Sequence, residues 1–185
     1  MVFGALYILG RLDADLKVEI SEGGYRRLTV LGICVAEYVL YRQQGDMQKG
    51  ITGFVMLIYL LLCSVTDYYN NQVYDLLQLG VCVIVAGIAL TRQVQPSIGW
   101  ELVLFALIQV LLFGRMYGEA DVMCFLICAL SLIEKGMFIW VCHMALSFFL
   151  LGIVQGWKRN IAANGNLKKE VPFFPYMAVA YLLVF

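Results

Sequence analysis

The feature that most constrains this chain is a recurrence: apolar runs alternate with short polar turns from about Leu28 to Phe185. Apolar sequence is driven out of water, yet each peptide unit still carries a donor and an acceptor that must be matched. In hydrocarbon only helices and closed barrels match them all. None of the runs shows the period-two alternation of barrel strands, so helices are expected. Composition points the same way. Of 185 residues, 62% are hydrophobic and 14% charged, with a mean hydropathy of +0.83. An ordinary soluble domain has roughly half and a quarter. The expected fold is all-α, a polytopic transmembrane helix bundle of about six to seven spans.

Residues 1–27 are expected to be a cytosolic or interfacial lead-in. Met1 to Leu9 is apolar but only about half the ~20 residues a span needs. It lacks the basic start and small-residue cleavage site of a signal peptide. Residues 28–185 form the expected transmembrane domain. Its spans are Leu28–Tyr41, Ile51–Thr66, Leu76–Thr91, Ile98–Phe113, Val122–Leu132, Met137–Gly156 and Pro172–Phe185. No internal repeat divides them, so one membrane domain is the simplest organisation.

Charge excludes one class of partner. Thirteen basic residues balance 13 acidic ones at a pI near 6.5, which leaves no basic footprint for nucleic acid. Cys34, Cys63, Cys82, Cys124, Cys128 and Cys142 lie in or beside apolar runs and form no CxxC pair. Cys124 and Cys128 at i, i+4, or Cys142 beside His143, would suit a metal. Small residues packing between helices are the commoner use, and no metal or organic cofactor is expected. His143 is read as packed or hydrogen-bonded between helices.

Two aspartates stand apart, because a carboxylate at a membrane boundary is costly to desolvate and needs a partner or a task. Asp67 closes the apolar run Leu60–Thr66, and Asp121 follows the turn Tyr117-Gly118-Glu119-Ala120 at the start of another. An even number of spans separates them, so they face the same side of the membrane. Positive charge places that side in the cytoplasm. It then gathers Arg11, Lys17, Arg26, Arg27, Arg115, Lys158, Arg159, Lys168 and Lys169, against Arg42, Lys49, Arg92 and Lys135 opposite. Two neighbouring carboxylates share a proton, and one can activate water while the other donates to a scissile carbonyl. The plainer alternative is that Asp67 ends one helix and Asp121 caps another. Glu37 and Glu101 allow a different class again, a small transporter or membrane-complex subunit with an acidic ion path.

Three stretches together resemble the type IV prepilin leader peptidases and preflagellin peptidases, intramembrane aspartic proteases of the GxGD type. After Asp67, residues Val73, Tyr74 and Asp75 match the family's aliphatic–Pro–Asn/Asp except at the proline. Gly118-Glu119-Ala120-Asp121-Val122-Met123 matches Gly-x-Gly-Asp-aliphatic-Lys with Ala120 for glycine and Met123 for lysine. Pro172-Phe173-Phe174-Pro175 matches the Pro-Phe-x-Pro that opens the family's last helix. The likeness covers residues 51–185, the peptidase-like core.

The resemblance implies a membrane-embedded aspartic endopeptidase with Asp67 and Asp121 as catalytic residues. Gly118, Glu119, Ala120, Asp75, Pro172 and Pro175 would support the motifs. It implies a multi-pass protein of a prokaryotic plasma membrane, cutting at the cytoplasmic face. The substrate would be a pilin-like or flagellin-like precursor with a basic leader and an apolar helix. A diverged relative acting as a scaffold is the alternative within the family, and Ala120 is its pivot: a position that needs positive φ would resist alanine. Glu119 could raise the pair's pKa, or simply be a solvated residue favourable near a helix N-terminus. Asp75 could attract the leader or cap the next span. Larger bacterial relatives carry paired CxxC motifs in a cytosolic domain that goes with N-methylation, and this chain has neither. The purified protein is therefore expected to transfer no methyl group from S-adenosylmethionine to a cleaved pilin terminus, as a radiolabel assay would show.

Overall fold

The computed structural model describes residues 30, 32–34, 37–38, 41, 46–70, 72–92, 95–113, 118–161 and 171–185. The lead-in 1–27, Tyr117 and most of the expected span Leu28–Tyr41 lie outside the described residues. Among the described residues all regular structure is helical. Helix α1 spans Met47–Asn70, α2 Asp75–Leu90, α3 Pro96–Ile108, α4 Glu119–Ser131, α5 Gly136–Ile161 and α6 Phe174–Val184. A π turn, Gln109–Phe113, extends α3, and a 3-10 turn, Ile133–Lys135, joins α4 to α5.

The helix starts follow from local chemistry. Helices α3 and α6 each place a proline, Pro96 and Pro175, in the first turn, where its missing N–H has no intrahelical partner to lose. The α4–α5 reversal needs Gly136, whose backbone sits at φ 75°, ψ 176°, a region only glycine enters cheaply. Glu101 of α3 accepts the Met137 N–H at 2.8 Å and so satisfies one orphan donor of α5.

Among the described residues two helices are long and apolar enough to cross a membrane, Met47–Tyr69 and Ile133–Trp157. They differ in what covers them. The first has 61% of its apolar window buried, the second only 17%. Phe138, Phe149, Ile153 and Trp157 of the second point outward, as do Leu90 and Trp100 from α2 and α3. A membrane location is what this apolar exterior points to.

Helix α6 packs between α1 and α5, α2 lies against α4 and α1, and α3 lies against α5. The core joins Met56, Tyr59, Leu60 and Cys63 of α1 to Phe125, Ile127 and Cys128 of α4 and to Met177 and Tyr181 of α6. The His143 ring nitrogen Nε2 lies 3.1 Å from the Met177 carbonyl, tying α5 to α6, with Phe125 and Tyr181 edge-on to the ring.

Chain direction alternates from α1 to α6, which sorts polar groups to two ends. At one end Glu134 pairs with Lys49 at 3.1 Å and Arg92 at 3.5 Å, and Arg92 also donates to Thr52 Oγ1. Lys135 donates there to the carbonyls of Val184 and Phe185. Asp67 and Asp121 lie at the other end. The Gly136 turn yields a paired test. Gly136→Ala forces the alanine into that conformation and brings Cβ to 3.3 Å from Glu101 Oε2, costing about 2 kcal/mol in reversible unfolding. Gly152→Ala, inside α5 with open space around its Cβ, is expected to stabilise by up to about 1 kcal/mol.

Candidate active site

Asp67 does not end its helix. Tyr68, Tyr69 and Asn70 carry α1 onward, which leaves Asp67 half-buried in the last turn. A carboxylate there opposes the negative pole of its own helix. The compensation arrives from another helix: Asp67 Oδ2 accepts the Phe174 N–H at 2.9 Å, and the carboxylate also takes the Phe173 N–H. Asp67 is thus the anion at the N-terminus of α6, where free N–H groups and the helix dipole favour negative charge.

The Pro-Phe-Phe-Pro stretch supplies that N-terminus. Pro175 occupies a first-turn position without costing a hydrogen bond, while half-buried Pro172 precedes the two donors. Phe173 is held by stacking on Phe148 at 5.0 Å between ring centroids and by an edge contact with Phe125 at 5.9 Å. Phe125 stands one turn beyond Asp121 on α4. The donors to Asp67 are therefore positioned by one ring from the helix that carries the second aspartate and one from α5.

Asp121 is the third residue of α4, not a loop residue ahead of it. Gly118 is the N-cap, at φ −64° and ψ 155°. The Gly118 carbonyl accepts the N–H groups of Asp121 at 3.0 Å and Val122 at 3.2 Å. The Asp121 carboxylate in return takes the Gly118 N–H, the N3 half of a capping box with Asp in the usual Glu position. The N-cap position itself belongs to Gly118, and Asp121 caps from three residues further in.

Capping does not exhaust Asp121. Burial, and after it the negative charge of Asp67, push its carboxyl from 3.8 up to about 6, with the Gly118 N–H pulling the other way. The two carboxylates are within electrostatic reach of each other. Cys63 lies beside Cys124 deeper in the bundle, one turn from Asp67 and from Asp121 respectively, so α1 and α4 meet face to face beneath the pair.

The remaining motif residues divide. Ala120 is helical and half-buried, so position 120 makes no demand for positive φ and alanine suits it. Gly118, exposed, has an extended backbone open to any residue, and an added Cβ would stand 3.8 Å from Asp121 Oδ2. Glu119 is exposed in the first turn of α4, where its charge favours the helix. Asp75 is the exposed first residue of α2. Tyr74 is the N-cap there and α2 has no side-chain cap, so Asp75 adds charge to the first turn without capping it. Met123 is half-buried on α4. Glu101 is engaged with the Met137 N–H at the opposite end of the bundle, and Glu37 is exposed. Among the described residues no three metal-binding side chains cluster.

Sequence reasoning missed Gln78. It is the one amide in an otherwise apolar helix after Asp75, 3% exposed, and its Nε2 donates to the Ala120 carbonyl at 2.9 Å. A solitary amide in an apolar run is the signal that would have drawn attention to it. The chain matches no family model, no curated protein and no solved structure.

Two outcomes follow from the electrostatics. In a carboxyl-carbon NMR titration Asp121 is expected to have its midpoint near pH 6, and Asp67→Asn to lower it while burial keeps it above the ordinary value. Stability should move with the same proton. The folded protein holds it up to about pH 6 and the unfolded chain releases it near 4, so the folded state binds more protons in that window and loses stability as pH rises through it. Asp121→Asn should accordingly melt higher than the parent at pH 8, with the gap closing towards pH 4.

Proposed function

We propose that this protein is a multi-pass membrane aspartic endopeptidase, with Asp67 and Asp121 acting as a pair on one water molecule. One observation carries the proposal. Three stretches far apart in sequence, around Asp67, Gly118–Asp121 and Pro172–Pro175, converge at one end of the bundle, where Asp121 feels the charge of Asp67 and Asp67 holds the α6 amides. Unrelated caps would have no reason to meet. The up-and-down course of α1 to α6, together with the outward apolar face of Ile133–Trp157, supports six crossings in this core. Preceding helical positions near residues 30–41 are compatible with a seventh.

The environments of the two carboxylates divide the labour. Burial penalises the charged form of Asp67, and two backbone N–H donors, which bond best to that form, oppose the penalty. Asp121 keeps its proton to about pH 6. Below neutrality Asp67 is then the base and Asp121 the acid. Asp67 removes a proton from water as the oxygen adds to the scissile carbonyl carbon, and the Asp121 proton passes to the carbonyl oxygen. On collapse the gem-diol returns a proton to Asp121, Asp67 gives its proton to the leaving amine, and the C–N bond breaks. Neither step needs a metal.

The substrate class is the one the resemblance implies: a pilin-like or flagellin-like precursor whose apolar helix lies along the bundle and whose basic leader stays at the cytoplasmic face. Exposed Glu119 and Asp75, at the same end of the bundle as the two aspartates, suit a basic leader. Ala120 does not argue for a dead site, because its backbone is helical.

The test is cleavage of a pilin-like precursor by the purified protein in lipid, beside Asp67→Ala and Asp121→Ala. Cutting by the parent and by neither variant is the expected result, with loss of at least 1000-fold, on the order of removing an essential acid or base. Activity in either variant would refute the pair. Parental inactivity across several leaders, with the precursor still bound, would favour the scaffold. Ala120→Gly is expected to leave cleavage no faster, since glycine only weakens the first turn of α4.

A further inference from the structure

We infer that Gln78 is a positioning residue for Asp121, setting the separation of the two aspartates through the Ala120–Asp121 peptide. The inference rests on the paired-aspartate function proposed above and adds a residue that no motif contains. Gln78 stands in the first turn of α2, its own N–H bonded to the Tyr74 carbonyl at 3.1 Å, so the backbone beneath it is fixed. Its side chain is buried and reaches across to α4, where Nε2 donates to the Ala120 carbonyl at 2.9 Å. The N–H of the same peptide unit, that of Asp121, donates to Gly118 at 3.0 Å. The plane that carries Asp121 is therefore held at both edges, one by its own helix turn and one by α2.

Geometry makes that second hold significant. Without Gln78 the first turn of α4 is secured only by its own capping bonds, and helix ends fray. Asp121 is pressed towards Asp67 against both desolvation and like charge. A frayed turn would relieve both by swinging the carboxylate outward to water. The Gln78 bond opposes that movement, because breaking it strands the buried Gln78 amide. The groups facing Asp121 are Asp67 from α1, the amides of Phe173 and Phe174 beyond it at α6, and the Gly118 N–H from its own turn. Gln78 adds no charge to this set, so its influence on the Asp121 proton passes through position.

The test replaces Gln78 by Met, which keeps length and removes the donor, and follows the Asp121 carboxyl by carbon-13 NMR titration in the full-length protein, with Asp121→Asn for assignment. The expected result is a midpoint lower by roughly one pH unit, with a kcat for a pilin-like precursor down by about 100-fold and KM within twofold. A lowered melting temperature with the midpoint unchanged would overturn the inference and leave the paired aspartates standing. A parental Asp121 midpoint that ignores Asp67→Asn would instead overturn the pair. Should Gln78→Met fail to fold, Gln78→Asn retains a buried amide one methylene too short to reach Ala120, and the same midpoint decides.

Discussion

The hydrogen bond from the Phe174 N–H to Asp67 is the contact on which the polar end of this bundle depends. A carboxylate in the last turn of α1 is set against its own helix dipole, and the first turn of α6 has N–H groups with no partner inside the helix. Each defect answers the other. The consequence is structural reach: α6 is drawn between α1 and α5, and its Phe173 is drawn against Phe125 and Phe148. Removing the carboxylate would leave two orphan amides at an apolar boundary.

Asp121 shows the opposite balance. Its bonds with Gly118 are those of a helix cap, yet a cap alone has no need of a second carboxylate nearby. Desolvation and the Asp67 charge both raise the cost of ionising it, so the folded protein carries an energetic penalty at neutral pH. Such a penalty persists where the surroundings over-determine the geometry. Gly118, Gln78 and the face-to-face packing of α1 on α4 are those surroundings.

The far end of the bundle is built on another logic. Glu134 joins Lys49 and Arg92, and Glu101 closes the turn at Gly136. There, among the described residues, acids meet bases or backbone donors. At the first end a carboxylate meets a carboxylate. The contrast separates charge used to hold a turn together, Glu101 included, from charge held in tension.

Helical class, the order of the described apolar segments and the shared end of Asp67 and Asp121 were legible in the sequence, because hydrophobic periodicity and the parity of alternating helices are local or additive properties. Segment limits were less so: α1 runs through Asp67 to Asn70 and α4 begins at Glu119, since tyrosines and acidic first-turn residues continue or open helices while reading as polar turns. The doubt that Ala120 raised was a question of backbone angle, and its place inside α4 answered it. Three things were decided only by tertiary structure. The donors to Asp67 come from Phe173 and Phe174, the second hold on the Asp121 peptide comes from Gln78, and the high Asp121 pKa comes from burial and Asp67. Each depends on groups tens of residues apart in the chain. Sequence names the charges and the amides, but only packing sets the distances over which they act.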